Sequence, residues 1–239
     1  AEQLDTLKQT SAPKAIGAHA QIGTTTQIGT YAQYVPERLD DFAWENDLVA
    51  FRVYGPAVRE KSENSGVDAW MKYVNYPVVK HRYDQHLNHN KSYHKDWGDG
   101  YDIYHVGSSA GVGSEALWVD GRMEAMETWV EQKILKQSKE LVEFELKYER
   151  TIEGKVYNQI KKISLALGSQ LFHAESTFFV DGELAKNLPI AIAVATHDEK
   201  AEVTFNKKAG YIATWERLSD NFGIGTAVLV DPKIIGKKK

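Results

Sequence analysis

The sequence predicts an all-β fold, an antiparallel β-sandwich with few short helices, and three observations predict it. Apolar and polar residues alternate with period two over much of the chain. Turn signals recur at hairpin spacing, at Glu153-Gly154, Gly168-Ser169, Asp181-Gly182 and Ala209-Gly210. Strand-like runs follow one another without the intervening helices that a βαβ arrangement requires.

In chain order, residues 1–30 are rich in Ala, Gln, Lys and Thr without periodicity, as a loosely held terminal segment would be. A local duplication, Gln21-Ile22-Gly23-Thr24 and Gln27-Ile28-Gly29-Thr30, is too short for a repeat fold. One sandwich domain is expected over 31–239. Pro36 opens a polar helical turn toward Phe42. Val49, Phe51 and Val53 then share one strand face while Ala50, Arg52 and Tyr54 share the other, and Gly55-Pro56 ends the strand. Residues 67–100 are dense in Trp, Tyr, His, Lys and Asn with little alternation, the pattern of a long functional loop. Further strands are expected at 101–106, 141–148, 157–167, 171–179, 189–195, 203–205, 211–216 and 225–230. The clearest is 141–148, where Val142, Phe144, Leu146 and Tyr148 alternate with Glu143, Glu145 and Lys147, giving a sheet with one wet face.

Composition narrows the function classes. At 239 residues and 42% hydrophobic, the chain can bury one large core without a second domain. A net charge of -4 provides no global basic field for nucleic acid. No run approaches the roughly 20 apolar residues of a membrane-spanning helix. With no cysteine there is no disulfide, thiolate metal site or cysteine nucleophile. The chain opens Ala-Glu-Gln without an initiator Met, as a product of signal-peptide removal does, so a periplasmic or secreted location is expected. Tyr and Trp are plentiful and suit sugar stacking as well as β-sheet packing.

Three stretches could carry chemistry. Lys80, Arg82, Lys91 and Lys95 stand against Asp84, together with His81, His86, His89 and His94, forming an anion-attracting patch in an acidic chain. His86-x-x-His89 with His94 nearby invites a divalent metal, but without a recognised third ligand ordinary loop histidines are the simpler account, and no cofactor is expected. In the block from Tyr93 to Gly107, Gly98 and Gly100 allow a sharp entry into a strand on which Asp102 and Tyr104 point to one side, close to His94, Asp96 and Trp97. That concentration resembles a site; the plainer alternative is a bulge with capping acids and core tyrosines. The third stretch runs from Asp40 to Asp47 and leads into the strand bearing Arg52. Its carboxylates, Glu45 among them, could bind sugar hydroxyls with Trp44 as a stacking face, or Asp40 and Asp41 could cap a turn and Arg52 serve a structural ion pair. His173 and Glu175 share a face of a later strand.

At Tyr34-Val35-Pro36-Glu37-Arg38-x-Asp40-Asp41-Phe42-Ala43-Trp44-Glu45-Asn46-Asp47, then Ala50-Phe51-Arg52-Val53-Tyr54-Gly55-Pro56-Ala57, Ser65-Gly66-Val67-Asp68-x-Trp70 and Tyr93-His94-x-Asp96-x-Gly98-x-Gly100-x-Asp102-x-Tyr104-x-Val106-Gly107, the sequence resembles a family of secreted proteins grouped as a domain of unknown function. The family occurs in bacterial loci that degrade plant and algal polysaccharides. It includes an ulvan oligosaccharide dehydratase, which acts on a terminal glucuronic or iduronic acid and leaves a 4,5-unsaturated uronic acid. The resemblance implies a β-sandwich of the galactose-mutarotase-like super-sandwich type, export, and an anionic oligosaccharide as partner. Family members usually continue with a Trp- and Gly-containing tail, which is not found in these 239 residues.

Removing water across C4 and C5 of a uronic acid takes a proton beside a charged carboxylate, which a cation must neutralise. Arg52 is the expected cation because it is planar and permanently charged, with Lys80 in reserve. His94 is the expected base, and Tyr104 or Tyr93 the acid that protonates the departing hydroxide. Trp44, Glu45, Asp96, Trp97, Asp102 and His173 complete the expected binding set. The alternatives are a polysaccharide lyase expelling a sugar instead of water, a non-catalytic binding module for uronate-containing oligosaccharides, and an epimerase.

Overall fold

A computed structural model describes residues 27–197, 199–218 and 222–236; most of the expected 1–30 segment lies outside these residues. The described chain is mostly β, in four small antiparallel sheets with one α-helix, set in a propeller-like ring in place of the two sheets of a plain sandwich. The first sheet is a meander of β1 (Tyr31–Val35), β2 (Asp41–Glu45), β3 (Ala50–Val53), β4 (Val67–Lys72) and β5 (Gly100–Asp102). The second places β6 (Val112–Val119) between β7 (Arg122–Ala125) and β13 (Ile190–Val194). The third runs β8 (Glu131–Gln137), β9 (Leu141–Ile152), β10 (Lys155–Ala166), β11 (His173–Val180) and β12 (Glu183–Leu184). The fourth is β14 (Glu202–Asn206), β15 (Tyr211–Arg217) and β16 (Gly223–Leu229). No described helix is long and apolar enough to cross a membrane.

Local chemistry explains the hairpins. Glu153-Gly154 and Asp181-Gly182 each hold two consecutive residues at positive φ, which matches strand twist in a two-residue turn and fixes the pairing of Ile152 with Lys155 and of Val180 with Glu183. Along β9 the alternation seen in sequence becomes burial: Val142, Phe144, Leu146 and Tyr148 turn inward. They meet the first sheet face to face, with the Phe144 ring 4.7 Å from Phe42 and 5.3 Å from Trp44.

The first sheet is covered on its other face too. There Val35, Ala43, Ala50 and Trp70 pack against Val78, Val79 and Tyr83 of the helical segment and against Tyr93. Both faces being covered, β2 and β3 are buried at every position, and the alternation expected around 49–54 gives way to continuous burial.

The helix α1 (Val79–His89) and β4 both fall within the stretch whose composition suggested a loop. The sequence hides α1 because its inward stripe of Val79, Arg82 and Tyr83 contains a charge, which is neutralised by Asp99 from outside the helix. Its N-terminus has no cap of its own. Glu45 reaches over from β2 and accepts the N–H groups of Val78 (2.8 Å) and Val79 (3.1 Å) while pairing with Lys72 at 3.0 Å.

Candidate functional site

The face of the first sheet beneath α1 carries a cluster of four charged side chains on neighbouring strands, beside the Glu45–Lys72 pair. Register sets Arg52 opposite Asp68, while Asp41 on β2 and Asp102 on β5 flank this pair. The Arg52 guanidinium lies 2.9 Å (Nε) from Asp68, 2.8 Å (Nη2) from Asp102 and 3.3 Å (Nη1) from Asp41. Tyr83 donates to Asp41 at 2.8 Å and the Trp70 indole to Asp68 at 3.1 Å. One buried cation thus serves three buried carboxylates, and two carboxylate oxygens, one each on Asp41 and Asp68, have no partner among the described residues. Burial, opposed by Arg52, pushes the Asp68 carboxyl up to about 7 and that of Asp102 up to about 6, with Asp41 raised as well. The cluster therefore retains protons near neutral pH.

Tyr93 lies above this cluster, its ring stacked on Trp70 at 5.3 Å and met edge-on by Tyr83 at 5.4 Å. Arg38, from the short helical turn after β1, donates from Nε (2.7 Å) and Nη2 (2.5 Å) to the Tyr93 hydroxyl. Two imidazoles flank the same ring, His86 of α1 at 4.6 Å and His94 at 4.3 Å between centroids. The Nδ1 of His94 is 3.3 Å from the Asp102 carbonyl and 3.4 Å from its carboxylate, and 60% of the His94 side chain is exposed. Partial burial, reinforced by the nearby Arg52 and Arg38 charges, lowers the His94 pKa from its ordinary 6.5; partial burial, Arg38 and His94 lower that of His86. Both rings are thus biased toward the neutral form that accepts a proton.

Arg52 and His94 therefore do lie together, joined through Asp102, but Arg52 cannot be the substrate clamp. Its side chain is 4% exposed and engaged by three carboxylates. Trp44 is 1% exposed inside the core and offers no stacking face, and both oxygens of Glu45 are taken up by the α1 amides and Lys72. Asp102 is buried and acts on solvent only through His94. Tyr93 is also buried, so it positions Arg38 and the two histidines rather than meeting a ligand itself.

Tyr104 faces away from His94 into the main core, where burial pushes its phenol up to about 12. Its ring stands edge-on to His197 at 4.6 Å beside a cavity of about 400 Å³, and His197 pairs with Glu216. Lys80 is exposed on α1. Asp96 accepts the Gly98 N–H at 2.7 Å in the turn before β5, and Trp97 is 40% exposed with the Lys95 and Lys91 ammonium groups 4.8 and 5.4 Å from its ring centre. His173 is exposed on the third sheet beside Glu175, apart from these groups. His86 and His89 share α1, but His89 turns to Asp84, and among the described residues no three potential ligands are placed to hold a metal ion.

Arg38 is the functional candidate that the sequence reading did not single out, although it lies inside the motif carrying the family resemblance; His86 stood out as part of the basic patch and of the His-x-x-His pair, without a role in the chemistry.

Comparison with known proteins places this geometry in a family. A family model described as "Domain of unknown function (DUF4861)" matches residues 4–239. A protein of Formosa agariphila named only as uncharacterized protein P7 is 36% identical over 212 residues, covering 85% of this chain and 52% of that protein. The chain thus spans about half the length of this curated relative. No solved structure matches.

Proposed function

The chain belongs to the DUF4861 family, and we propose that it is a lyase that eliminates water from the non-reducing-end glucuronic or iduronic acid of ulvan-type oligosaccharides, giving a 4,5-unsaturated uronic acid. The observation that carries this reading is the grouping of Arg38, His86 and His94 around the Tyr93 ring. The resemblance of the surrounding motifs to an oligosaccharide dehydratase supplies the substrate class.

In this mechanism Arg38 takes the role first expected of Arg52. It is partly exposed and fixed by Tyr93, and among the described residues no carboxylate lies within ion-pair distance, Asp41 attracting it only from further off. Its guanidinium pairs with the uronate carboxylate and stabilises the negative charge that develops when C5 loses its proton. His94 is the base. Asp102 beneath Nδ1 holds the ring so that Nε2 accepts the C5 proton, and the lowered pKa keeps that nitrogen free near neutral pH.

His86 protonates the departing C4 oxygen. The C5–H and C4–O bonds break, C4=C5 forms and water leaves. Because base and acid are both imidazoles with lowered pKa, the active form has His94 neutral and His86 protonated, so the rate follows a bell centred on the acid side of neutrality.

Incubation with uronate-terminated oligosaccharides tests the reading by the absorbance of the new conjugated alkene and by product mass. Dehydration gives a product lighter by one water at unchanged chain length, whereas a lyase gives shortened chains. Replacement of His94 or Arg38 by Ala lowers the rate by about a hundred- to ten-thousand-fold. Full activity in His94→Ala removes His94 from the chemistry.

A further inference from the structure

The outer face of the fourth sheet sets Trp215, small residues and polar groups in ordered rows. Register aligns Glu202, Trp215 and Gly225 in one row, Thr204, Ala213 and Ala227 in the next, and Asn206, Tyr211 and Leu229 in a third. Arg217 lies beyond the first row, opposite Gly223. Trp215 is 50% exposed, and its six-membered ring lies across β16. A Cβ on Gly223 would stand 2.4 Å from the Glu216 carbonyl and 2.7 Å from that ring, and one on Gly225 3.2 Å from the ring, so two glycines, two residues apart on the same face, let the indole lie close to the backbone. One ring face is therefore supported by bare backbone and the other is open to solvent.

Ala213 and Ala227 continue this floor toward Tyr211, four residues and about 13 Å along β15 from Trp215. Exposed Glu202, Thr204 and Asn206 form a hydrogen-bonding margin on β14. Arg217 is exposed at the Trp215 end, with no carboxylate within ion-pair distance among the described residues.

We propose that this face is a binding platform for an oligosaccharide chain bearing an acidic group, separate from the His94 site on the first sheet. An indole held flat offers an apolar surface matched to the C–H face of a sugar ring, while side chains at the margin meet the hydroxyls that project from the ring edge. The Arg217 guanidinium pairs with a carboxylate or sulfate carried by the sugar next to the one on Trp215. A Trp laid over glycine also shields a strand from water, which is the purely structural account of this pair. That account does not call for a smooth small-residue track, a second aromatic on the same line, or an exposed arginine at its end. The charged and hydroxyl-bearing margin favours a hydrated polymer over a second copy of this chain.

Native electrophoresis through gels containing polygalacturonate, a sulfated galactan or neutral hydroxyethylcellulose tests the platform. The chain is expected to be retarded in at least one of the acidic gels, and the choice between those two gels identifies the acidic group. Trp215→Ala weakens retardation by about tenfold, and Arg217→Gln removes the preference for acidic over neutral polymer. Tyr211→Ala and Arg217→Gln leave Trp215 on its glycines, so they test the platform even where Trp215→Ala does not fold.

Absence of retardation, or equal retardation of Trp215→Ala in its folded state, overturns the proposal. A dimer seen by sedimentation and abolished by Trp215→Ala overturns it in favour of a second copy. Elimination on short uronate oligosaccharides is unchanged in Arg217→Gln, so loss of the platform and failure of the dehydratase reading appear in different measurements.

Discussion

Asp68→Asn isolates the electrostatic imbalance beneath the candidate site. Asp68 is completely buried and shares Arg52 with Asp41 and Asp102, and its carboxyl holds a proton up to about 7 rather than the ordinary 3.8. A carboxyl whose folded pKa is raised binds a proton in the folded state that the unfolded chain has already released. Stability from this group is therefore present at low pH and lost as pH rises from about 4 to about 7. Three pH units at about 1.36 kcal/mol each set a ceiling of about 4 kcal/mol, and sharing of charge with Asp102 brings the expected difference to about 2–4 kcal/mol.

Asparagine stays neutral throughout, so the variant gains that amount relative to wild type between pH 4.5 and pH 8, and contributions from groups outside the Arg52 cluster cancel in the difference. Urea unfolding followed by Trp fluorescence over this pH range measures it. A difference that does not vary with pH would refute the reasoning. A variant that loses ground at high pH would show that Arg52 needs the third carboxylate more than the cluster suffers from it.

Two further outcomes concern buried charge elsewhere. Glu45→Gln weakens the link to Lys72 and the cap on Val78 and Val79, with an expected loss of about 2–4 kcal/mol and reduced helical ellipticity; unchanged stability would mean that α1 is held by packing alone. Lys161 and Glu115 form a buried pair closed by Ser176, so Lys161→Met, which strands the carboxylate, costs about 3–5 kcal/mol, and adding Glu115→Leu recovers most of it in the same unfolding assay. A double variant no better than the single one contradicts that account.

Strands β9, β10 and β11 of the third sheet and the three strands of the fourth were legible because each has neighbours close in sequence and at least one face near solvent, whereas the exposed edge strand β8 (Glu131–Gln137) and the two-residue β12 were not expected. Val142, Phe144, Leu146 and Tyr148 alternate with charged residues, and two-residue turns such as Glu153-Gly154 fix the pairing locally. Both are properties of a few consecutive residues. The 67–100 stretch was not legible on the same terms. β4 carries Asp68 on a fully covered face, and α1 carries Arg82 in its inward stripe. Each charge is made tolerable by a partner outside its own element, Arg52 for one and Asp99 for the other.

The candidate site divides along the same line. From the sequence alone, Arg52, His94 and acids of the 40–52 and 93–104 blocks were expected to converge, because the glycine-punctuated approach to β5 and the strand pattern around Arg52 are local features. Only the tertiary structure decided which arginine could meet a ligand. Arg52 and Arg38 carry the same side chain, but β2, β4 and β5 place Asp41, Asp68 and Asp102 around the first, while the turn after β1 leaves the second at the surface on Tyr93. A side chain's charge is written in the sequence; its availability depends on the neighbours that distant strands bring to it.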